Sequence, residues 1–146
     1  MDAPSRDFGF HLIGSDQHER EAVRAQPQPV LKALDLFCGA GGATKGLQRA
    51  GFHVTGIDNR PQPRYCGDAF IQADALLPPV RLGDFDLIWA SPPCQAFTNA
   101  RVIHGREHDD RLTPTRRMLQ AQAAPWVIEN VPGAPMRADY ILCGSQ

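Results

Sequence analysis

Residues 31–50 read LKALDLFCGAGGATKGLQRA, and this stretch decides the fold. "LKALDLF" is a short apolar run of the buried-strand type, and the glycine-rich "CGAGG" follows it directly. "ATKGLQRA" then reads as a helix that Gly51 ends. The order strand, glycine loop, helix is the first unit of an alternating α/β pattern. Glycines let the backbone approach a ligand closely, and the helix N-terminus adds exposed amides. Many α/β turns are glycine-rich for packing alone. The loop is neither GxGxxG nor a phosphate loop, because no Gly-Lys-Ser/Thr follows it.

Downstream the alternation continues. "HVTGID" is a second strand closing on Asp58, and "FIQAD" a third closing on Asp74. "FDLIWAS" is a fourth, leading to Cys94. "TPTRRMLQAQA" is a helix, with Thr113 placed as N-cap and Pro114 at its first position. "PWVIENV" is a fifth strand carrying Glu129, and "YILCG" is a candidate sixth. These elements predict a doubly wound, mostly parallel sheet. In such sheets ligands sit at the carboxyl ends of the strands, so Asp58, Asp74, Cys94 and Glu129 should converge on one edge.

Upstream, residues 1–30 read as a flexible extension. "DQHEREAVRAQPQP" is polar, ends in alternating prolines, and has room for one short helix near Glu19 to Arg24. Residues 31–146 form the predicted α/β domain. A length of 146 residues suits one domain with its own core. The hydrophobic share of 42% and charged share of 21% are those of an ordinary globular protein. The net charge of −1 neither announces nor excludes a nucleic-acid partner. Cys38, Cys66, Cys94 and Cys143 show no CxxC spacing, which argues against a zinc site, and no secretory leader argues for a disulfide scaffold. No segment approaches membrane-spanning length. The expected compartment is the cytoplasm, with no metal and no membrane partner.

Individual residues sharpen the picture. Asp58 lies 19 residues after Gly39 at a strand tip, where an acid can accept ribose hydroxyls; the bland alternative is a turn or cap aspartate. A lone cysteine is usually a small buried hydrophobe. Cys94, however, follows Pro92 and Pro93 in "SPPCQAFT". Proline fixes φ and biases its predecessor to extended geometry, so the pair makes a stiff bracket for a positioned thiol. Glu129 sits in an otherwise apolar run, where a buried acid needs a partner or a proton; the alternative is an acid at a strand end facing water. The segment 101–117 holds five Arg and two His against three acids. It reads as a polar loop, open to phosphate contact or to solvent alone.

"DLFCGAGG", "GID", "QADA", "SPPCQAFT" and "ENVPG" occur in that order. Together they resemble the cytosine-C5 DNA methyltransferase family, of the short phage and actinobacterial type, over roughly residues 33–146. The resemblance implies a Rossmann-like class I methyltransferase core that uses S-adenosylmethionine. It implies that Phe37, Cys38, Gly39, Ala40, Gly41 and Gly42 surround the cofactor, that Asp58 holds its ribose, and that Asn59 lies near the adenine. Asp74 would meet the adenine amine with Ala75 beside it, and Pro93 would line the methyl-transfer pocket. Cys94 is implied as the nucleophile and Glu129 as the cytosine contact, with Gln95 and Asn130 on the substrate side. The implied partner is double-stranded DNA with its target cytosine flipped out. The family continues past "LCGS" with an arginine-bearing motif and a target-recognition region, whereas this sequence ends at Gln146. A fragment, one half of a split enzyme completed by a complementary chain, and a cofactor-binding remnant are all compatible with that. A tRNA cytosine-C5 methyltransferase shares the motifs. A dehydrogenase gives "SPPCQ" no role, and an exocyclic-amine methyltransferase needs no thiol.

Overall fold

A computed structural model of the chain describes residues 29–98 and 108–142. Most of the polar extension, including the stretch near Glu19 to Arg24 where a short helix was expected, lies outside the described residues, as do residues 99–107 and 143–146. Five strands form one sheet: β1 (Lys32–Leu36), β2 (His53–Asp58), β3 (Ala69–Gln72), β4 (Leu87–Ala90) and β5 (Trp126–Ile128). Their order is β3-β2-β1-β4-β5, and every pairing is parallel. Helix α1 (Gly42–Arg49) connects β1 to β2, and α2 (Leu112–Gln120) precedes β5.

The alternation within β1 explains the layering. Ala33 and Asp35 face α1, where Ala33 packs with Leu47 and Val54 and Asp35 accepts a bond from Thr44. Leu34 and Leu36 point to the other face, in a core with Ile57, Ile88, Ala90 and Leu119 of α2. Ala33 to Leu36 are all buried, as a central strand with helices on both faces requires. The 42–49 helix places Lys45 and Arg49 among its exposed positions, together with Gly42 and the weak helix former Gly46, and buries only Thr44 and Leu47 on one face.

The chain runs β1-β2-β3 in one direction and then returns to the opposite side of β1 for β4. The crevice between the carboxyl ends of β1 and β4 is therefore the topological switch point. Register puts the functional loops level there. Leu36 pairs with Ile57 and with Ala90, and Ala90 pairs with Ile128. Phe37, Asp58, Ser91 and Glu129 consequently leave the sheet side by side.

Two sequence-based expectations need correction. The helix at 112 starts before Thr113, and its first turn is capped by Asp110. That carboxylate accepts the amides of Leu112 (2.9 Å) and Thr113 (3.0 Å) and the Thr113 hydroxyl (2.6 Å). These bonds, the Thr113 hydroxyl first, hold the Asp110 carboxyl below its usual range. Pro114 lies third in the helix, still within the turn whose amides need no intrahelical partner. The sixth strand is the second correction. Tyr140, Ile141 and Leu142 carry no strand pairing and stand exposed; Cys143 and Gly144 lie outside the described residues. A run of apolar residues makes a strand only where a sheet edge or core receives it.

Candidate active site at the sheet switch point

The glycine turn is shaped by backbone constraint. Phe37 (φ 60°), Gly39 (φ 49°) and Gly41 (φ 98°) all adopt left-handed conformations. For Phe37 this stores about 1–2 kcal/mol of strain, of the kind that collects at functional sites. The turn is tied down by the Cys38 amide to the Ile57 carbonyl (3.1 Å) and the Gly41 amide to the Cys38 carbonyl (2.9 Å). Asp58 joins it to β2. Its Oδ2 accepts the Gly39 amide at 3.0 Å, and its Oδ1 accepts the Arg60 amide at 2.9 Å. An added Cβ at Gly39 or Gly42 would meet open space, whereas one at Gly41 would lie 2.7 Å from the Cys66 sulfur.

The second loop leaves β4. Pro92 is buried, Pro93 and Gln95 are exposed, and Cys94 is half-buried. The Cys94 carbonyl accepts the Phe97 amide at 2.8 Å, so the thiol sits at the first position of a tight turn. A brace from β5 holds this loop: Asn130 Nδ2 donates to the Pro92 carbonyl at 2.8 Å, and Asn130 Oδ1 accepts the Val131 amide at 3.0 Å. Glu129, just past β5, still donates its amide to the Ala90 carbonyl (2.9 Å), but its side chain is exposed. The premise of an acid buried inside an apolar strand therefore does not apply to Glu129; it stands at a strand end on the cavity rim.

Asp74 lies two residues beyond β3. Its Oδ1 accepts the Leu76 amide at 3.0 Å, and its Oδ2 faces an Arg111 guanidinium nitrogen at 3.6 Å.

A cavity of about 590 Å³ lies at the switch point. Phe37, Asp58, Asn59, Asp74 and Ala75, which follow or end β1, β2 and β3, line it together with Pro93, Cys94, Gln95, Glu129 and Asn130, which follow β4 and β5. The four polar strand ends singled out in the sequence thus meet in one space. Cys38, Gly39, Ala40, Gly41 and Gly42 are not among its lining residues; they form the turn behind Phe37 and Asp58. Cys38 is buried, and burial first, then the Asp35 and Asp58 charges, push its thiol up to about 12. A thiol so disposed is inert. Arg60, Gln62, His108, Asp109 and Arg111 also line the cavity. The last three belong to the segment 101–117, which the sequence left open between phosphate contact and solvent, and nothing in the pattern near 60 singled out Arg60 or Gln62. Among the described residues, no three His, Cys, Asp or Glu side chains group to hold a metal ion, and no helix is long and apolar enough to cross a membrane.

Behind the turn is a buried polar group that sequence patterning did not reveal. Thr44 Oγ1 donates to Asp35 Oδ2 at 2.5 Å and lies 3.2 Å from the Tyr65 hydroxyl. Asp35 Oδ1 has no partner among the described residues. Burial pushes the Asp35 carboxyl up to about 6, opposed by the Thr44 bonds. Burial likewise raises the Tyr65 hydroxyl.

The family model for C-5 cytosine-specific DNA methylases matches residues 31–138. The Type II methyltransferase M.HgiDI of Herpetosiphon aurantiacus is 35% identical over 114 residues, which are 69% of this chain and 37% of that protein. M.AgeI of Thalassovita gelatinovora is 29% identical over 96 residues, 55% of this chain and 21% of its own length. M.HgiGI, also of Herpetosiphon aurantiacus, is 33% identical over 114 residues, 69% of this chain and 90% of that sequence. The chain thus spans 21% of M.AgeI and 37% of M.HgiDI.

Proposed function

The chain belongs to the C-5 cytosine-specific DNA methylase family, and on that premise we propose that it carries the cofactor-binding and nucleophile-bearing core of a DNA (cytosine-5)-methyltransferase. The observation that carries the reading is the meeting of Cys94 and Glu129 with Asp58 and Asp74 around one cavity at the switch point. Because the chain spans a minor part of several relatives, the activity is assigned to the assembled enzyme, completed by further segments or a complementary chain. The substrate is duplex DNA in the cytoplasm.

Methyl transfer needs a donor, and the residues present fit S-adenosylmethionine. There is open space beside Gly39 and Gly42, an acid at the tip of β2 for ribose hydroxyls, and a second acid, Asp74, for an adenine amine. Asn59 and Ala75 would lie beside the adenine, Phe37 would help surround the cofactor, and Pro93 would line the methyl-transfer pocket. When bound, the cofactor supplies an electrophilic methyl group.

The protein's task is to make cytosine C5 nucleophilic. The Cys94 thiolate adds to C6, forming a C–S bond and moving the ring electron pair toward C5 and N3. Glu129, on the adjacent strand end, would in its protonated form donate to N3, where charge builds as the thiolate adds, and accept from the exocyclic amine. After C5 is methylated, its proton leaves to a base. The C6–S bond then breaks, which restores the aromatic ring and the thiolate. The target base must leave the duplex to reach Cys94, at about a few kcal/mol. Gln95 and Asn130 stand on the substrate side; Asn130 acts through the loop it braces.

Calorimetry with S-adenosylhomocysteine tests the cofactor half of this reading. Saturable binding that weakens about tenfold or more in Asp58→Ala is expected. No binding by the wild-type chain contradicts it.

A further inference from the structure

We infer that Tyr65 is a positioning residue for the cofactor: its hydroxyl fastens the loop between β2 and β3, which lines the cavity, to the helix start behind the glycine turn. This rests on the reading above in which Phe37, Asp58 and Asn59 receive the cofactor.

The loop reads NRPQPRYCGD, residues 59–68, and brings Asn59, Arg60 and Gln62 to the cavity wall. Pro61 and Pro63 stiffen it but remove two backbone donors that could have fixed its position. Its inner turn is closed by the Tyr65 amide on the Gln62 carbonyl at 3.0 Å. Its far end is held by Asp68, whose carboxylate accepts the Val54 amide (2.8 Å) and the Gln48 side-chain amide (3.1 Å). In between, residues 61–67 have two hydrogen-bond partners outside the loop among the described residues, both reached by side chains. The Cys66 thiol donates to the Gly41 carbonyl at 3.2 Å, and the Tyr65 hydroxyl lies 3.2 Å from Thr44 Oγ1. A thiol is a weak donor, so Tyr65 is the firmer tie.

The sheet leaves room for the ring. Gly56 pairs with Asp35 in register, so the face of β2 beside the Asp35 side chain carries no side chain of its own. The Tyr65 ring fills that space: a Cβ at Gly56 or at Gly67 would overlap it. Phe70 packs on the ring with centroids 5.5 Å apart. Thr44 has one hydroxyl hydrogen, which goes to Asp35 Oδ2 at 2.5 Å. The Tyr65 hydroxyl is therefore the donor to Thr44 Oγ1. The chain from Tyr65 through Thr44 ends on a buried carboxyl in β1, two residues before Phe37. Thr44 itself lies in the first turn of α1, directly after the glycine turn. The Tyr65 bond thus sets the Asn59–Gln62 wall of the cavity against the turn that carries Phe37.

The test is calorimetry on the full 146-residue chain with S-adenosylhomocysteine, paired with amide hydrogen exchange on the free chain. Tyr65→Phe keeps the ring between the two glycines and removes the hydroxyl. It is expected to weaken binding about three- to tenfold, the range that one neutral hydrogen bond supports. In the free variant the Cys38, Gly39 and Gly41 amides, which bond to Ile57, Asp58 and Cys38, should lose more protection than the amides of β1 and β4. Thr44→Ser keeps the acceptor for Tyr65 and should bind within about twofold of wild type. An equal loss of protection in turn and strands assigns the hydroxyl to overall stability alone. That outcome, unchanged affinity in Tyr65→Phe, or a loss in Thr44→Ser as large as that in Tyr65→Phe overturns the proposal while leaving the cofactor reading standing. Failure of the wild-type chain to bind overturns the cofactor reading, and this proposal with it.

Discussion

Asn130 Nδ2 donates to the Pro92 carbonyl at 2.8 Å, so the residue after Glu129 grips the residue two before Cys94. One hydrogen bond thereby couples the ends of β5 and β4 that bear the proposed cytosine contact and the proposed nucleophile. Asn130→Asp is nearly isosteric but replaces the donor with an acceptor, which repels the carbonyl. In the assembled enzyme, kcat should fall about 10- to 100-fold, because small misplacements of reacting groups are costly. The affinity for S-adenosylhomocysteine should stay within about twofold. Steady-state kinetics beside calorimetry separates the two.

Asp35 should make stability depend on pH. Its folded-state carboxyl is raised to about 6 from a usual 3.8 by burial. The folded state holds that proton more tightly than the unfolded chain. Stability from this site is therefore fully present below pH 3.8 and is lost as pH rises through about 6. Asp35→Asn keeps an acceptor for Thr44 and carries no charge. Urea unfolding at pH 4, 5, 6 and 7 should show the variant gaining on wild type with rising pH, by roughly 2–3 kcal/mol at pH 7. A constant difference across that range contradicts the account.

Gly41 holds a left-handed φ of 98° against Cys66. Gly41→Ala should cost about 1–2 kcal/mol from the backbone alone, plus the contact with the sulfur. Adding Cys66→Ala should recover the contact part and leave the backbone part, as a double-mutant cycle of unfolding free energies reads directly.

The start of α2 separates two local signals. Asp110→Ala removes the acceptor of two amides and a hydroxyl and should cost about 1 kcal/mol. Thr113→Ala, expected from sequence to remove the cap, should cost less, because the Leu112 and Thr113 amides keep their acceptor.

That helix start illustrates what sequence patterning can and cannot carry. Thr113-Pro114 is a favourable pair locally, but Asp110 lies within reach and its carboxylate accepts both amides; the choice depends on where the chain enters the helix. The strand ends were legible because apolar runs stop where side chains become polar, at Asp58, Asp74, Cys94 and Glu129. Their convergence followed from strand order in a doubly wound sheet. The Asp35–Thr44–Tyr65 group was not legible, because Tyr65 reaches it only after its loop folds back over Gly56. The depth of Glu129 was not legible either: an apolar flank marks a strand but does not say whether an edge strand is covered.

The most direct measurement is covalent trapping. The chain is incubated with S-adenosylmethionine and duplex oligonucleotides carrying 5-fluorocytosine in varied contexts, with and without the segments that complete its relatives, and analysed by mass spectrometry. Fluorine at C5 blocks the final elimination, so a working nucleophile stays attached to C6. A protein–DNA adduct that disappears in Cys94→Ser and persists in Cys38→Ser and Cys66→Ser is the predicted result. An adduct that survives Cys94→Ser, or none in the completed enzyme while S-adenosylhomocysteine still binds, would contradict the assignment of Cys94 as the nucleophile.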